Sequence, residues 1–472
     1  VGSWQDKADP FLMISGVVLV FFNPLLFLIP STLYYFSKKN FPNRKIIFLF
    51  PFFWVTYEYI YMLTDASFPW LTLGSGLSYF TSFIQIADII GAVGLSFIII
   101  LVNILLYKIW MKFKVEKKIS LTYLIILLFL FAGVLVYGNF KLSNFKLSKQ
   151  KVRVGLIQPN IDPWAKWEFG NITELTDLYF ELSQKAINNG AELLIWPETA
   201  LPVFLRSSTY TSTLNSLYDF LEKNNTYLLT GIPDIVYYDK DEKKPSDVRY
   251  SKAGDFYYTT YNGVYLLSPD SKKIQRYGKI KLVPFGERVP FVDALPFLAD
   301  FLKWGVGISG WNVGKDTVVF KMKLREQNVL ENNDSLKINA LVCYESIYPF
   351  FVSEFVKRGA GLISVITNDS WYGKLSGPYQ HKEIAVLRAV ENRRSVVRAA
   401  NGGISCIIDP LGEIIVETKM LTKDIIVGDV VIQKDETFFT KNPLIVPVLC
   451  SVFSVWITAL FFLKKLKLKL KV

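Results

Sequence analysis

Five apolar stretches constrain this chain more than anything else in its sequence. They run over Pro10–Phe36, Ile46–Leu63, Ile89–Tyr107, Ile119–Gly138 and Pro443–Leu463. A helix crosses a bilayer with roughly 20 apolar residues. In hydrocarbon every backbone N–H and C=O must find a partner inside the protein, so such stretches are expected to be helices. The third and fifth hold no charged residue. The first contains Asn23-Pro24 and Pro30, where a missing amide donor would kink a helix. The second carries Glu58, an ionisable group at membrane depth that suits either a functional or a bundle-facing structural role.

Basic residues orient these stretches, because cytoplasmic loops are enriched in Lys and Arg. Lys38, Lys39, Arg44 and Lys45 follow the first stretch; Lys108, Lys112, Lys114, Lys117 and Lys118 follow the third; Lys464, Lys465, Lys467, Lys469 and Lys471 follow the last. All three segments are expected in the cytoplasm. The loop from Thr64 to Asp88 has no Lys or Arg and is expected outside, as is the long region from about Leu142 to Asn442. Five crossings satisfy every short loop. They also leave Val1 outside, and the sequence does not open on methionine, so either further upstream crossings or a plain outer N-terminus is expected. The charge excess, 53 basic against 41 acidic residues for a net +12, sits largely in these loops and gives no reason to expect nucleic acid as a partner.

From Val152 the pattern becomes that of a globular α/β domain. Val152–Ile157, Leu193–Trp196, Tyr227–Ile232, Phe256–Leu267, Lys273–Tyr277, Lys337–Val342 and Leu362–Thr367 read as strands, rich in β-branched and aromatic residues. Asn171 with Glu174 resembles a capping box opening a helix that stops at Asn189-Gly190. His381–Ala400 reads as a helix, and Ile404–Ile408 with Glu413–Glu417 as a hairpin. The expected division is a membrane region over 1–141, a catalytic domain over 142–442, and a last membrane helix with a basic tail over 443–472.

Three of these strands run directly into charged or reactive residues. The segments are Trp196-Pro197-Glu198-Thr199, Tyr277-Gly278-Lys279 continuing to Glu287, and Val342-Cys343-Tyr344-Glu345. Ligand sites of α/β folds collect at the carboxyl ends of strands. A thiol attacks only as it loses its proton, and a carboxylate can serve as the base. A lysine ammonium favours the thiolate and can stabilise an oxyanion. His381 is the one histidine and the cysteines are three, Cys343, Cys406 and Cys450. That argues against a Ser-His-Asp triad, a multi-histidine metal site or a disulfide framework. Cys406 and Cys450 read as small buried hydrophobes.

These segments resemble the carbon–nitrogen hydrolase (nitrilase) superfamily, and most closely its membrane-embedded branch, the apolipoprotein N-acyltransferases. Beyond them, Leu282–Glu287 (Leu-Val-Pro-Phe-Gly-Glu), Thr367-Asn368-Asp369, Gln158-Pro159-Asn160 and Phe68-Pro69-Trp70-Leu71 carry the likeness. The resemblance implies an α/β, nitrilase-like αββα sandwich inserted between transmembrane helices. It implies Glu198 as general base, Lys279 as oxyanion stabiliser and Cys343 as nucleophile, with Glu287, Tyr344, Glu345 and Trp167 in support. Two departures stand out. The family commonly has His where this chain has Lys281, and it has more membrane helices before Phe-Pro-Trp-Leu.

The implied reaction passes an acyl chain from a glycerophospholipid, phosphatidylethanolamine, through a Cys343 thioester to the α-amine of a diacylated lipoprotein. It needs no metal or cofactor. The implied location is the bacterial inner membrane, multi-pass, with the catalytic domain on the periplasmic side. Phe291–Trp311, rich in Phe, Leu and Trp, is expected either to cover the acyl chains or to pack as ordinary core. The alternative function is a membrane-tethered amidase that passes the acyl group to water. A non-enzymatic receptor or channel would leave Glu198, Lys279 and Cys343 without a use.

Overall fold

Each of the five apolar stretches forms a helix in the computed structural model, which describes residues 10–469 apart from 42, 44, 164, 168–170, 253, 293, 296–309 and 326–334. Val20–Asn40, Ala87–Glu116 and Leu121–Asn144 are long and apolar enough to cross a membrane, while the apolar helices Ile46–Met62 and Ile445–Phe461 are shorter. The first helix spans Pro10–Asn40 and runs through Pro24 and Pro30 without interruption. By contrast, Ala87–Glu116 kinks at Gly91, whose φ is +66°. Only glycine adopts that conformation at little cost, and a β-carbon there would lie 2.3 Å from the Phe439 ring. On Leu121–Asn144 the side chains Leu128, Phe129 and Val136 are exposed, the apolar surface that a bilayer covers. Glu58 is buried. Its Oε1 accepts Trp54 Nε1–H at 2.9 Å and the Leu73 amide at 3.0 Å, which ties the Phe-Pro-Trp-Leu turn to its helix.

Residues 1–145 with 437–472 form one compact unit, and residues 146–436 form the other. In the second unit β1 (Lys151–Gln158), β2 (Leu193–Trp196), β3 (Tyr227–Tyr238), β4 (Arg249–Ser251), β5 (Phe256–Ser268) and β6 (Ser271–Gly278) belong to one sheet. β7 (Phe320–Lys323) and β8 (Ser335–Ile338) pair with each other. β9 (Leu341–Val342), β10 (Ile363–Thr367), β11 (Val396–Ala400), β12 (Cys406–Ile408) and β13 (Ile414–Glu417) form a second sheet in the order β13-β12-β11-β10-β9. β14 (Asp424–Val431) returns to the first, whose order is β14-β1-β2-β3-β5-β4 with β6 also on β5. The sheets face each other through β1, β2 and β11, through β5 and β9, and through β12 and β14. Helices Ile172–Asn188 and Thr211–Asn224 cover the first sheet. Helix Gly377–Asn392 lies against β11, with Pro349–Lys357 beside it. The unit is therefore an αββα sandwich.

Strand direction sets where chemistry can occur. β1, β2 and β3 are parallel, as are β9, β10 and β11. β6 is antiparallel to β5, which is antiparallel to β3, so β6 shares the direction of β2. The residues after β2 and β6 thus emerge at the same end of the first sheet. β2 itself is wholly buried. Leu194 and Trp196 pack into the helix-facing core, and the pleat turns Leu193 and Ile195 the other way. Trp196 stacks on Tyr179 with ring centroids 4.4 Å apart and donates to Ser183 Oγ at 2.9 Å. Asn171 caps that helix where expected, but not as a full capping box: its Oδ1 accepts the Thr173 amide, and Glu174 Oε1 accepts its side-chain Nδ2–H and not its backbone amide.

Two expectations need correction. The helix expected over His381–Ala400 stops at Asn392. Arg393 takes a left-handed backbone with φ +48°, and Val396–Ala400 pairs with β10 instead. Helical spacing of apolar residues hid a β-branched start, Val396-Val397, that suits a strand. The strand expected over Lys337–Val342 is two strands, β8 and β9. Asn339 Oδ1 leaves the ladder to accept the Ser364 amide at 3.0 Å. The strands β7 and β14 and the helices Thr211–Asn224 and Pro349–Lys357 were not expected.

Because Trp196 fixes the end of β2 against its helix, Trp196→Ala should destabilise the protein by about 3–5 kcal/mol. Thermal denaturation in detergent checks this. An unchanged transition would contradict the anchoring role.

Candidate active site

Glu198 stands two residues beyond β2. Pro197 has no amide to continue the ladder, and Thr199 turns the chain with φ +46°. β3 approaches this turn so closely that a β-carbon on Gly231 would lie 2.7 Å from Glu198 Cα. Glu198 Oε1 accepts Asn262 Nδ2–H at 2.7 Å, and Oε2 accepts the Asn368 amide at 3.0 Å. The carboxylate is thus aimed by one group from β5 and one from the end of β10.

Lys279 follows β6 and has no exposed surface. Its Nζ lies 2.7 Å from Glu287 Oε1 and 3.5 Å from Glu198 Oε1. Burial alone would depress a lysine, but the carboxylates of Glu287 and Glu198 outweigh it and hold the ammonium above its usual range. Glu287 also accepts Asn262 Nδ2–H at 2.9 Å and the Val283 amide at 2.8 Å. Lys281 goes elsewhere: its Nζ lies 5.3 Å from the ring centre of Tyr348. Lys279, and not Lys281, brings its ammonium to the two glutamates.

Cys343 follows β9 with a left-handed backbone, φ +50°. It keeps part of its surface open, whereas Cys406 and Cys450 are buried. Burial pushes its thiol well up, the Glu198 charge adds to this, and the Lys279 ammonium opposes it. The thiol therefore rests protonated, and its proton has to leave as sulfur attacks. Glu345 clasps this segment to the lysine segment. Its Oε2 accepts the Val342 amide at 2.9 Å, and its Oε1 accepts Tyr277 O–H at 2.6 Å and the amides of Ile280 and Lys281 at 2.7 and 3.1 Å. Burial raises the Glu345 carboxyl while these donors lower it. Tyr344 is buried beside Tyr348, with ring centroids 5.3 Å apart and a 3.1 Å hydroxyl contact. Glu198, Lys279, Cys343, Glu287, Glu345 and Tyr344 thus gather at one end of the sandwich. The Trp167 side chain lies outside the described residues, as does most of the expected cover, with Phe297, Phe301 and Trp304.

Several residues in this cluster were not read from the sequence. Asn262, in the middle of β5, bridges the two glutamates through one amide nitrogen. Lys166 is fully buried and donates to the Glu198 carbonyl at 3.1 Å. Burial pushes its ammonium down to about 7 against the pull of Glu198. His381, read only as a helix residue, reaches the carbonyl of Cys343, with Nε2 3.2 Å from that oxygen. Asp369 completes this side. The donor atoms of Cys343, Asp369 and His381 lie within 4.8 Å of one another, as compact as a metal site. Arg398 takes that place as the cation: Nη2 donates to Asp369 Oδ2 and lies 3.1 Å from His381 Nδ1.

The raised thiol gives a direct check. Comparing the wild type with Cys343→Ser should show no extra thiolate absorbance between about pH 6 and 8, because an ordinary cysteine titrates near 8.5 and this one lies higher. A Cys343-dependent thiolate step within that range would contradict the electrostatics described here.

Comparison with known proteins agrees with this architecture. The family described as "Carbon-nitrogen hydrolase" matches residues 153–435, and the family described as "Apolipoprotein N-acyltransferase N-terminal domain" matches residues 3–105. The chain is 34% identical to "Apolipoprotein N-acyltransferase" of Chlorobaculum tepidum, over 93% of this chain and 81% of that one. It is 33% identical to the protein of the same name in Geobacter metallireducens, over 97% and 82%. An amidase crystal structure from Nesterenkonia sp. aligns at 17% identity and TM-score 0.41, covering 64% of this chain and 96% of that one. With its αββα unit and its apolar helices, the chain belongs to the apolipoprotein N-acyltransferase family of carbon–nitrogen hydrolases.

Proposed function

We propose that this protein is an N-acyltransferase that moves a fatty acyl chain from a glycerophospholipid to the N-terminal α-amine of a diacylated lipoprotein. The observation that carries the reading is the meeting of Glu198, Lys279 and Cys343 within one cluster, with the ammonium 3.5 Å from the Glu198 carboxylate, in a chain of this family. Phosphatidylethanolamine is the proposed donor. The proposed setting is the bacterial inner membrane, crossed several times, with the catalytic unit on the periplasmic side. The lysine-rich segments after Phe36, Tyr107 and Leu463 support that orientation.

Glu198 accepts the thiol proton while Cys343 Sγ attacks the ester carbonyl of the donor. The carbonyl oxygen becomes an oxyanion, which the Lys279 ammonium stabilises. Collapse breaks the bond to the glycerol oxygen, and Glu198 returns the proton to that oxygen, releasing a lysophospholipid. The thioester then meets the lipoprotein amine. The amine nitrogen attacks the same carbonyl carbon, Glu198 accepts an amine proton, and collapse expels the sulfur as thiolate, which Glu198 reprotonates. The products are an amide and the starting thiol. Glu287 leaves Lys279 charged through both halves, because it pairs with the ammonium without facing the proton transfer itself. The Lys279 charge supplies the largest single effect in this scheme, since preorganised electrostatics act strongly where water is excluded.

The experiment uses vesicles of phosphatidylethanolamine with a diacylated lipopeptide. Transfer to the lipopeptide amine with little free fatty acid is expected. Release of free fatty acid without transfer would support the amidase reading instead. In the same assay Lys279→Met should slow acyl transfer by roughly 10²–10³-fold, the usual effect of losing one oxyanion donor. Near-wild-type transfer by that variant would remove Lys279 from the mechanism.

A further inference from the structure

Beneath Cys343 lies a second charged group that the acyl-transfer scheme does not use. Arg398 from β11, Asp369 from the turn after β10, His381 from the Gly377–Asn392 helix and Thr367 from the end of β10 are each at most 1% exposed. Asp369 is the hub. Its Oδ2 accepts from Arg398 Nη2, and its Oδ1 accepts Thr367 Oγ1–H at 2.7 Å. His381 Nδ1 lies 3.0 Å from the same Oδ1. Burial would raise the Asp369 carboxyl, but the Arg398 guanidinium and the contacts with His381 and Thr367 hold it well below its usual range.

Two branches lead from this hub to the nucleophile. The first reaches its backbone. Ser346 O–H donates to the Cys343 carbonyl at 2.8 Å, and His381 Nε2 lies 2.8 Å from Ser346 Oγ and 3.2 Å from that carbonyl. The carbonyl oxygen can only accept, so a proton on Nε2 donates to it. The second branch reaches the sulfur, for the Thr367 hydroxyl also faces the Cys343 thiol. Asp369 holds that hydroxyl through the 2.7 Å bond, beside the sulfur whose ionised form it favours.

We propose that Asp369 is the positioning residue of the nucleophile. Anchored by Arg398, it sets Cys343 from two sides, through His381 at the backbone carbonyl and through Thr367 at the thiol. Two donors on the carbonyl keep Cys343 in its left-handed backbone, which a residue with a β-carbon otherwise avoids. The Thr367 hydroxyl, fixed by Asp369, keeps the sulfur in one rotamer. This inference rests on the reading of Cys343 as the acyl-carrying nucleophile.

The test measures single-turnover thioester formation on Cys343 by mass spectrometry, together with KM for phosphatidylethanolamine and the melting temperature. The full chain is used, in vesicles of that lipid. Thr367→Val and His381→Leu should each slow acylation about 100-fold, the scale of a small misplacement of a reacting group, with KM and melting temperature little changed. Thr367→Ser keeps the hydroxyl, and His381→Gln keeps a donor near Nε2. Both should stay within about threefold of wild type, since the contacts that position the sulfur survive. Wild-type acylation in Thr367→Val and His381→Leu would overturn the proposal. So would a joint fall of rate, affinity and melting temperature that Ser and Gln do not rescue, because that is the mark of a purely structural role. No thioester in the wild type would overturn the nucleophile assignment, and this inference with it.

Discussion

The buried Lys279 ammonium is the interaction on which this site depends. An ammonium with no exposed surface loses its hydration, and that loss is tolerable only beside compensating charge. Glu287 supplies the close partner at 2.7 Å and Glu198 the second at 3.5 Å. Asn262 then keeps the two carboxylates from facing each other bare, donating to both through one nitrogen. The result is a fixed positive charge that needs no rearrangement when an oxyanion forms nearby. It also leaves Glu198 oriented as a base.

The geometry that delivers these groups is local and costly. Thr199, Phe285 and Cys343 all have a left-handed backbone, and each follows directly on one of the three strand-end segments or lies within it. Such conformations persist where the surroundings over-determine them. Here they do: Gly231 closes on the Glu198 turn, Glu345 accepts four donors around the Cys343 and Lys279 segments, and Ser346 with His381 pins the Cys343 carbonyl.

Much of this was legible in the sequence, for physical reasons. Long apolar stretches announce helices because the bilayer leaves no other choice, and each of the five is helical. Wholly apolar β2 ending in Pro197-Glu198 reads as a buried strand feeding a site. Departures arose where distant residues decide the outcome. Asn262 sits within a strand of tyrosines and threonines, and its value comes from a glutamate 64 positions away. His381 looked like a helix residue because its partners, Asp369 and the Cys343 carbonyl, are supplied by other strands. The run to Ala400 keeps helical spacing, yet pairing with β10 claims its last residues. Lys281, where the family commonly has His, is explained by its place over Tyr348 and not by chemistry at Cys343.

The central claim is that the acyl group passes through Cys343. Mass spectrometry of the protein after incubation with phosphatidylethanolamine, without acceptor, tests it most directly. The account predicts a fatty acyl adduct on Cys343 that hydroxylamine removes and that Cys343→Ala lacks. An adduct that survives Cys343→Ala, or acyl transfer by that variant, would contradict it.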